Sequence, residues 1–154
     1  IGLKIQELEE KGLSFEEVVE QTEAYILSQD TWFVLENLDT LRKNGRLGTV
    51  KALGATALKI KPGMGSTDEG TIIQLDQARG ITKGLARMCE LATRRAGKPE
   101  EKRAVIAHVN CPERALQVKA ELEKRGNYRE IVITGAAGVA TVYAGDGGIV
   151  LAVG

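Results

Sequence analysis

The sequence has little of what metal and redox sites are made from. It holds one histidine, His108, which excludes a His-rich metal site. It holds two cysteines, Cys89 and Cys111, in unlike contexts and with no C-x-x-C. Thiols so placed suit a reducing, cytoplasmic setting, and nothing in their spacing argues for a disulfide. Neither sign of charge is in surplus: 21 Lys+Arg balance 21 Asp+Glu. No overall field therefore steers the protein to DNA, RNA or acidic lipid, and any basic site is local. A P-loop, a G-x-G-x-x-G after a strand and an obvious nucleophile–base pair are all missing. No secretory leader is expected, since Ile1–Lys11 is already charged and helical in pattern. The chain lacks an initiator methionine, so it is expected to be processed or to be a piece of a longer protein. From Ile131 to Gly154 only Asp146 is charged. The glycines of that stretch and its central aspartate argue against stable membrane insertion and for buried strands.

What is present fits one domain with an appendage. The 154 residues, 43% of them apolar, are enough to bury roughly 70% of the surface the unfolded chain would expose. Residues 1–10 are predicted helical. Ser14 and Glu17 form an S-x-x-E capping box that opens a second helix with Phe15, Val18, Val19, Thr22 and Ile26 on its apolar face. Residues 1–30 are therefore read as a helical hairpin with no strand before it, which supports a truncated chain. Thr31–Leu35 (TWFVL) is predicted to be a fully buried strand. A short helix over 38–43 follows, broken at Asn44-Gly45. A second helix is predicted over 49–58, with small residues at Ala52, Gly54, Ala55 and Ala57. A strand over 58–61 is expected to stop at Pro62-Gly63. A turn at 65–70 and a returning strand over 71–75 come next.

Beyond Gly80 the apolar period becomes helical, through Ile81, Leu85, Met88, Leu91 and Ala92. A strand is predicted over 103–109. The helix from Pro112 is expected to turn Ala115, Leu116, Val118 and Leu122 inward. Strands follow over 130–134 and 149–153, with 135–145 left unassigned. This alternation predicts βαβ units and a largely parallel or mixed sheet, with ligands beyond the carboxyl ends of the strands.

Leu38–Met64 reads as a binding segment for a molecule with an apolar body and a charged head. Arg46, after the Asn44-Gly45 break, could pair bidentately with a carboxylate or acyl phosphate; an ordinary solvated arginine beside a helix end fits the same position. Ala55 and its small neighbours fit the wall of a lipid site, and fit equally a helix packed closely on a sheet. Gly145, Asp146 and Gly147 form a loop whose N–H groups could converge on an oxyanion, or simply a tight turn. His108 fits a base or a structural histidine. Cys89 reads as core, and Cys111, at a helix start, as a cap or a thiol of lowered pKa. A rival reading is a small α/β enzyme domain binding a phosphorylated small molecule through Gly145–Gly148 and Arg46. A third is a plain interaction domain.

Several short signatures fall in one order: LDTLRKNGRLG (38–48), ALKIKPGM (57–64), ARGITKGL (78–85), IAHVNCPERA (106–115), IVIT (131–134) and YAGDGGIVLAV (143–153). In that order they resemble the C-terminal part of the DegV family, bacterial fatty-acid-binding proteins. The resemblance runs from about Thr31 to the end. It implies an α/β fold with a mixed parallel/antiparallel sheet flanked by helices, preceded by the helical hairpin. Residues 31–154 would be the C-terminal lobe of a two-lobed protein. It further implies a long-chain fatty acid as ligand, held between the lobes and presented to a fatty acid kinase subunit that forms the acyl phosphate. No catalytic residue, metal or other cofactor in this chain is implied. Arg79 becomes a surface residue that docks the kinase. Tyr143 stands where the family often has a histidine near the ligand head, and it too can donate a hydrogen bond. The family's first lobe, which contributes hydroxyl groups to the carboxylate, has no counterpart in this sequence.

Overall fold

Residues 1–47 and 59–154 are described in the computed structural model, and the helix predicted over 49–58 lies outside them. They fall into two units, Ile1–Gln29 with Gly154, and Asp30–Val153. The first unit is a pair of helices, α1 (Gly2–Glu10) and α2 (Phe15–Leu27). The capping box forms as its residues dictate: Ser14 Oγ accepts from the Glu17 N–H (3.3 Å), and Glu17 Oε2 accepts from the Ser14 N–H (2.8 Å). Two orphan donors of the helix start are thereby satisfied. Of the apolar face expected on α2, Thr22 is buried and Val18 half-buried, whereas Phe15, Val19 and Ile26 are exposed.

The second unit is built on a six-stranded sheet. Its strands are β1 (Asp30–Val34), β2 (Ile60–Ser66), β3 (Ile72–Arg79), β4 (Arg103–His108), β5 (Glu130–Gly135) and β6 (Ile149–Val153), in the order β3-β2-β1-β6-β4-β5. Between β1 and β2 lies the short helix α3 (Asp39–Lys43); α4 (Ile81–Ala96) precedes β4, α5 (Pro112–Arg125) joins β4 to β5, and α6 (Val139–Ala144) precedes β6. The sheet is mixed, but only β4 and β5 are parallel neighbours; every other pair is antiparallel. The alternation of strands and helices overstated the βαβ character, because β2 and β3 close as a hairpin and β6 inserts antiparallel between β1 and β4.

Four local expectations are corrected. The strand over 58–61 does not stop at Pro62-Gly63 but runs on to Ser66, with a register irregularity at Gly63/Met64. Pro62 lies beyond the two positions at which β1 pairs with β2, so no ladder bond is lost on that side. The returning strand runs to Arg79 rather than ending near 75. The first strand is not fully buried: Thr31 is exposed and Phe33 half-buried. Leu116 is 60% exposed rather than packed inward.

The pleat gives the sheet two unlike faces. Trp32 and Val34, Ala104 and Ile106, and Ile149 and Leu151 point one way and are buried in the main core with residues of α4 and α5. Gly84 lets α4 come close, since a Cβ there would lie 3.3 Å from Val34 Cγ1. On the other face the registers align two rows. One is Phe33–Val150–Ala107, and the other is Ala152–Val105–Val132. All six residues are half-buried. A smaller cluster of Leu35, Leu41, Val109 and Ala144 adjoins this face. Ile106, fully buried on a central strand, gives a direct check. Ile106→Ala is expected to lower unfolding stability by about 2–5 kcal/mol, read as a lower urea midpoint with unchanged slope.

Candidate functional site

The registers bring the carboxyl ends of β1, β4 and β5 to one edge of the sheet with the start of β6. Val34 and His108 both pair with Ile149, and His108 also pairs with Gly135. Glu36 follows β1 at this edge and draws in charges from far along the chain. Lys61, in β2, lies 2.7 Å from Glu36 Oε2 and also donates to the Glu36 carbonyl (2.6 Å). Arg114, in the first turn of α5, donates through Nη2 to Glu36 Oε1 (2.9 Å) and through Nη1 to the Gly147 carbonyl. The Lys61 hydrogen bond holds the Glu36 carboxyl below its ordinary pKa; partial burial opposes this and Arg114 assists it.

The loop after α6 is shaped by these contacts. Gly145 and Gly147 take positive φ, 67° and 77°, the left-handed region that glycine enters without strain. The Gly147 N–H donates to the Val109 carbonyl (2.9 Å), the Gly148 N–H to Gly145 (3.0 Å) and the Gly145 N–H to Thr141 (2.9 Å). Opposite, Asn110 is the one non-glycine residue described with positive φ (53°), and its Nδ2 donates to Asp146 Oδ1 (3.0 Å). His108 Nδ1 accepts the Cys111 N–H at the start of α5 (3.3 Å), a structural use of the ring. Burial pushes the Cys111 thiol up, against the helix-start lowering the sequence suggested, although Arg114 pulls it down. Cys89, in the core, is pushed up to about 12 by burial; neither thiol is activated as a nucleophile.

The residues singled out from sequence divide into groups. Arg46 follows a Schellman end to α3: the Arg46 N–H donates to Leu41 (2.8 Å) and the Gly45 N–H to Arg42 (3.1 Å), with Gly45 at φ 67°. The Arg46 side chain is exposed and has no ion pair among the described residues. Tyr143, on α6, is half-buried against the small cluster that Leu41 and Leu47 share, and its hydroxyl has no hydrogen-bond partner among the described residues. The fold thus brings the Arg46 segment and Tyr143 to one apolar cluster. Gly145 and Gly147 are close in sequence to that cluster, but their N–H groups are committed to protein carbonyls. Those N–H groups are therefore not free to converge on an oxyanion, which favours the tight-turn reading of this loop over the phosphate-binding one. Ala55, with the rest of the small-residue run 52–57, lies outside the described residues. Arg79 ends the outer strand β3, pairs in register with Ile60, and belongs to no part of this cluster. It is exposed, as are Lys59 and Lys83, and none of the three has an ion pair among the described residues.

Sequence reasoning missed Glu36, Lys61 and Arg114, whose bonds span 25, 78 and 33 positions. The available signal was a charged residue directly after an apolar strand and another just before Pro62. Among the described residues, no group of His, Cys, Asp and Glu is arranged to hold a metal, and no helix is long and apolar enough to cross a membrane.

A mixed sheet with one face packed under helices and a half-open apolar face defines a single α/β lobe. The chain belongs to the DegV family: the family profile described as "Uncharacterised protein, DegV family" matches residues 1–153. A DegV domain-containing protein of Streptococcus pyogenes serotype M1 is 34% identical over 151 residues, which is 97% of this chain and 52% of the relative. A DegV family protein of Ruminococcus gnavus, solved with vaccenic acid, superposes with a TM-score of 0.90 at 49% identity, covering 98% of this chain and 53% of that one. The fatty acid kinase (Fak) B3 protein of Streptococcus pneumoniae, loaded with linoleic acid, superposes with a TM-score of 0.81 at 32% identity, covering 97% and 52%. The chain spans about half the length of these relatives, so it matches a single lobe of them.

The Glu36 carboxyl supplies a pH test. Its pKa is lowered in the fold from an ordinary 4.5, so its stabilising contribution is full above that value and is lost as pH falls through the lowered one. Wild type should exceed Glu36→Gln in urea midpoint near neutral pH, and the gap should close as pH drops below 4.5.

Proposed function

We propose that residues 31–154 form the C-terminal lobe of a fatty-acid-binding protein and that residues 1–30 link it to a second lobe. The long-chain acid lies between the two lobes and is presented to a fatty acid kinase subunit, so this chain carries no catalytic residue and needs no metal or cofactor. The observation that carries the reading is the half-covered apolar face of the sheet. Ala107 of β4 and Ala152 of β6, on neighbouring strands, would floor a shallow trough flanked by Phe33, Val105, Val132 and Val150. A saturated chain laid there gains about 0.8 kcal/mol per methylene removed from water. The R. gnavus and S. pneumoniae relatives, which carry vaccenic and linoleic acid, support the choice of ligand.

The head group would meet Arg46 and the Tyr143 hydroxyl, polar groups that have no partner among the described residues. Gly45, Gly145 and Gly147 serve this site by shaping the turns that carry them, and Ala55 lines the acyl chain. Arg79, with Lys59 and Lys83, offers an unneutralised basic surface for an acidic face of the kinase.

Binding of fatty acids to the delipidated full-length protein tests this. Ala107→Leu and Ala152→Leu should weaken long-chain acids by about tenfold and shorter ones less, since each fills the trough with roughly three added carbons. A wild-type protein that takes up no fatty acid sinks the proposal. With kinase added, Arg79→Glu should raise the kinase concentration needed for half-maximal acyl phosphate by about tenfold while leaving fatty acid affinity unchanged. Arg46→Ala should slow phosphorylation of the bound acid; unchanged turnover counts against its role.

A further inference from the structure

We propose that Arg114 is a positioning residue for Tyr143, acting through the glycine loop; the inference rests on the head-group role given to Tyr143 above. The hydrogen bonds of Arg114 go to Glu36 and Gly147 rather than to any residue of the trough. Its fork is fixed at both prongs, by Glu36 Oε1 at 2.9 Å and by the Gly147 carbonyl. Glu36 cannot swing away with it, because Lys61 holds its other oxygen at 2.7 Å and its carbonyl at 2.6 Å. The loop is fitted to the guanidinium: a Cβ on Gly147 would lie 2.7 Å from Arg114 Nη1.

From Gly147 the restraint runs back to the tyrosine. The Gly148 N–H bonds to Gly145, and the Gly145 N–H bonds to Thr141, closing the last turn of α6 around Tyr143. Gly148 is folded so closely on this turn that a Cβ there would come 2.5 Å from the Ala144 carbonyl. Helix α6 has six residues and no side-chain cap at Gly138, so it cannot fix its own orientation. The loop closes its carboxyl end; backbone bonds between Val109 and Gly147–Gly148 and the Asn110–Asp146 bond hold one side of that loop, and Arg114 is the side chain that ties its Gly147 carbonyl to Glu36. Arg114 serves Glu36 and Gly147 from two separate nitrogens, Nη2 and Nη1, a spread that the single ammonium of a lysine lacks.

Two ligands separate positioning from packing: a long-chain fatty acid and the alcohol of the same length. Their Kd values would be measured on wild type, Arg114→Gln, Tyr143→Phe and the double variant. Arg114→Gln should cut the preference for acid over alcohol by about fivefold, as Tyr143→Phe does, and the double variant should lose no more than either. Equal loss for both ligands, or additive losses in the double variant, overturns the proposal. A ligand-free arm reads amide hydrogen exchange. Arg114→Gln and Glu36→Gln should speed exchange at Gly145 and Gly147 by at least about tenfold, with Ile106 and Leu151 unchanged. Unchanged loop protection overturns the clasp whatever the ligand does. A wild type that binds the alcohol as well as the acid overturns the head-group reading itself, and the exchange arm tells that failure from the other.

Discussion

The register of β6 is the constraint on which the rest depends. Its five residues pair with β1 on one side and β4 on the other. That pairing sends Ile149, Leu151 and Val153 into the core and Val150 and Ala152 to the opposite face. A slip of one residue would exchange the two sets. Alanine would then sit in the core and isoleucine on the half-open face, so one displacement would disturb both faces of the sheet. The large β-branched and leucine side chains on the inner face make that slip costly, and the small residues opposite are kept in place by the same energy.

The polar edge is held by a different kind of force. Glu36, Lys61 and Arg114 are each partly withdrawn from water, so each loses hydration that its partners must replace. They do so because every prong is used: the carboxylate has a cation on each oxygen, and both cations have a carbonyl as second acceptor. The arrangement ties the end of β1, the start of β2, the first turn of α5 and the glycine loop together. Its value lies in geometry more than in net energy, since replacing such groups by apolar ones often costs little stability.

Much of the fold was legible because its signals are local. The Ser14–Glu17 box, the helical period from Ile81 and the strand at Ile149 need only their neighbours to be recognised. Strand β2 was cut short because proline and glycine are turn residues in most settings, and their tolerance here comes from a missing β1 partner that only the topology reveals. Leu116 was turned inward by its residue type, though α5 buries Ala115, Val118 and Leu122 and leaves Leu116 on its open side. The proposed site was open to sequence only in part. Arg46 stands out by type and setting, and Tyr143 through the family resemblance. The glycines could be flagged, but which N–H groups were already donated could not. The clasp could not be read at all, since Glu36 and Arg114 lie 78 positions apart and nothing local to either one points at the other.

The central place of β6 also bears on how the protein is made. Strands β1–β3 and the pair β4–β5 form separate pieces of sheet, and β6 is what lies between them. A ribosome delivers both pieces before Ile149–Val153 emerges, the first of them well before. Until then each exposes an unpaired strand edge, β1 on one and β4 on the other, at positions later buried mid-sheet. Such edges invite pairing with other chains. The nascent chain therefore passes through a state in which five of the six strands are made and two edges stand open, and a single late strand ends that exposure on both sides at once.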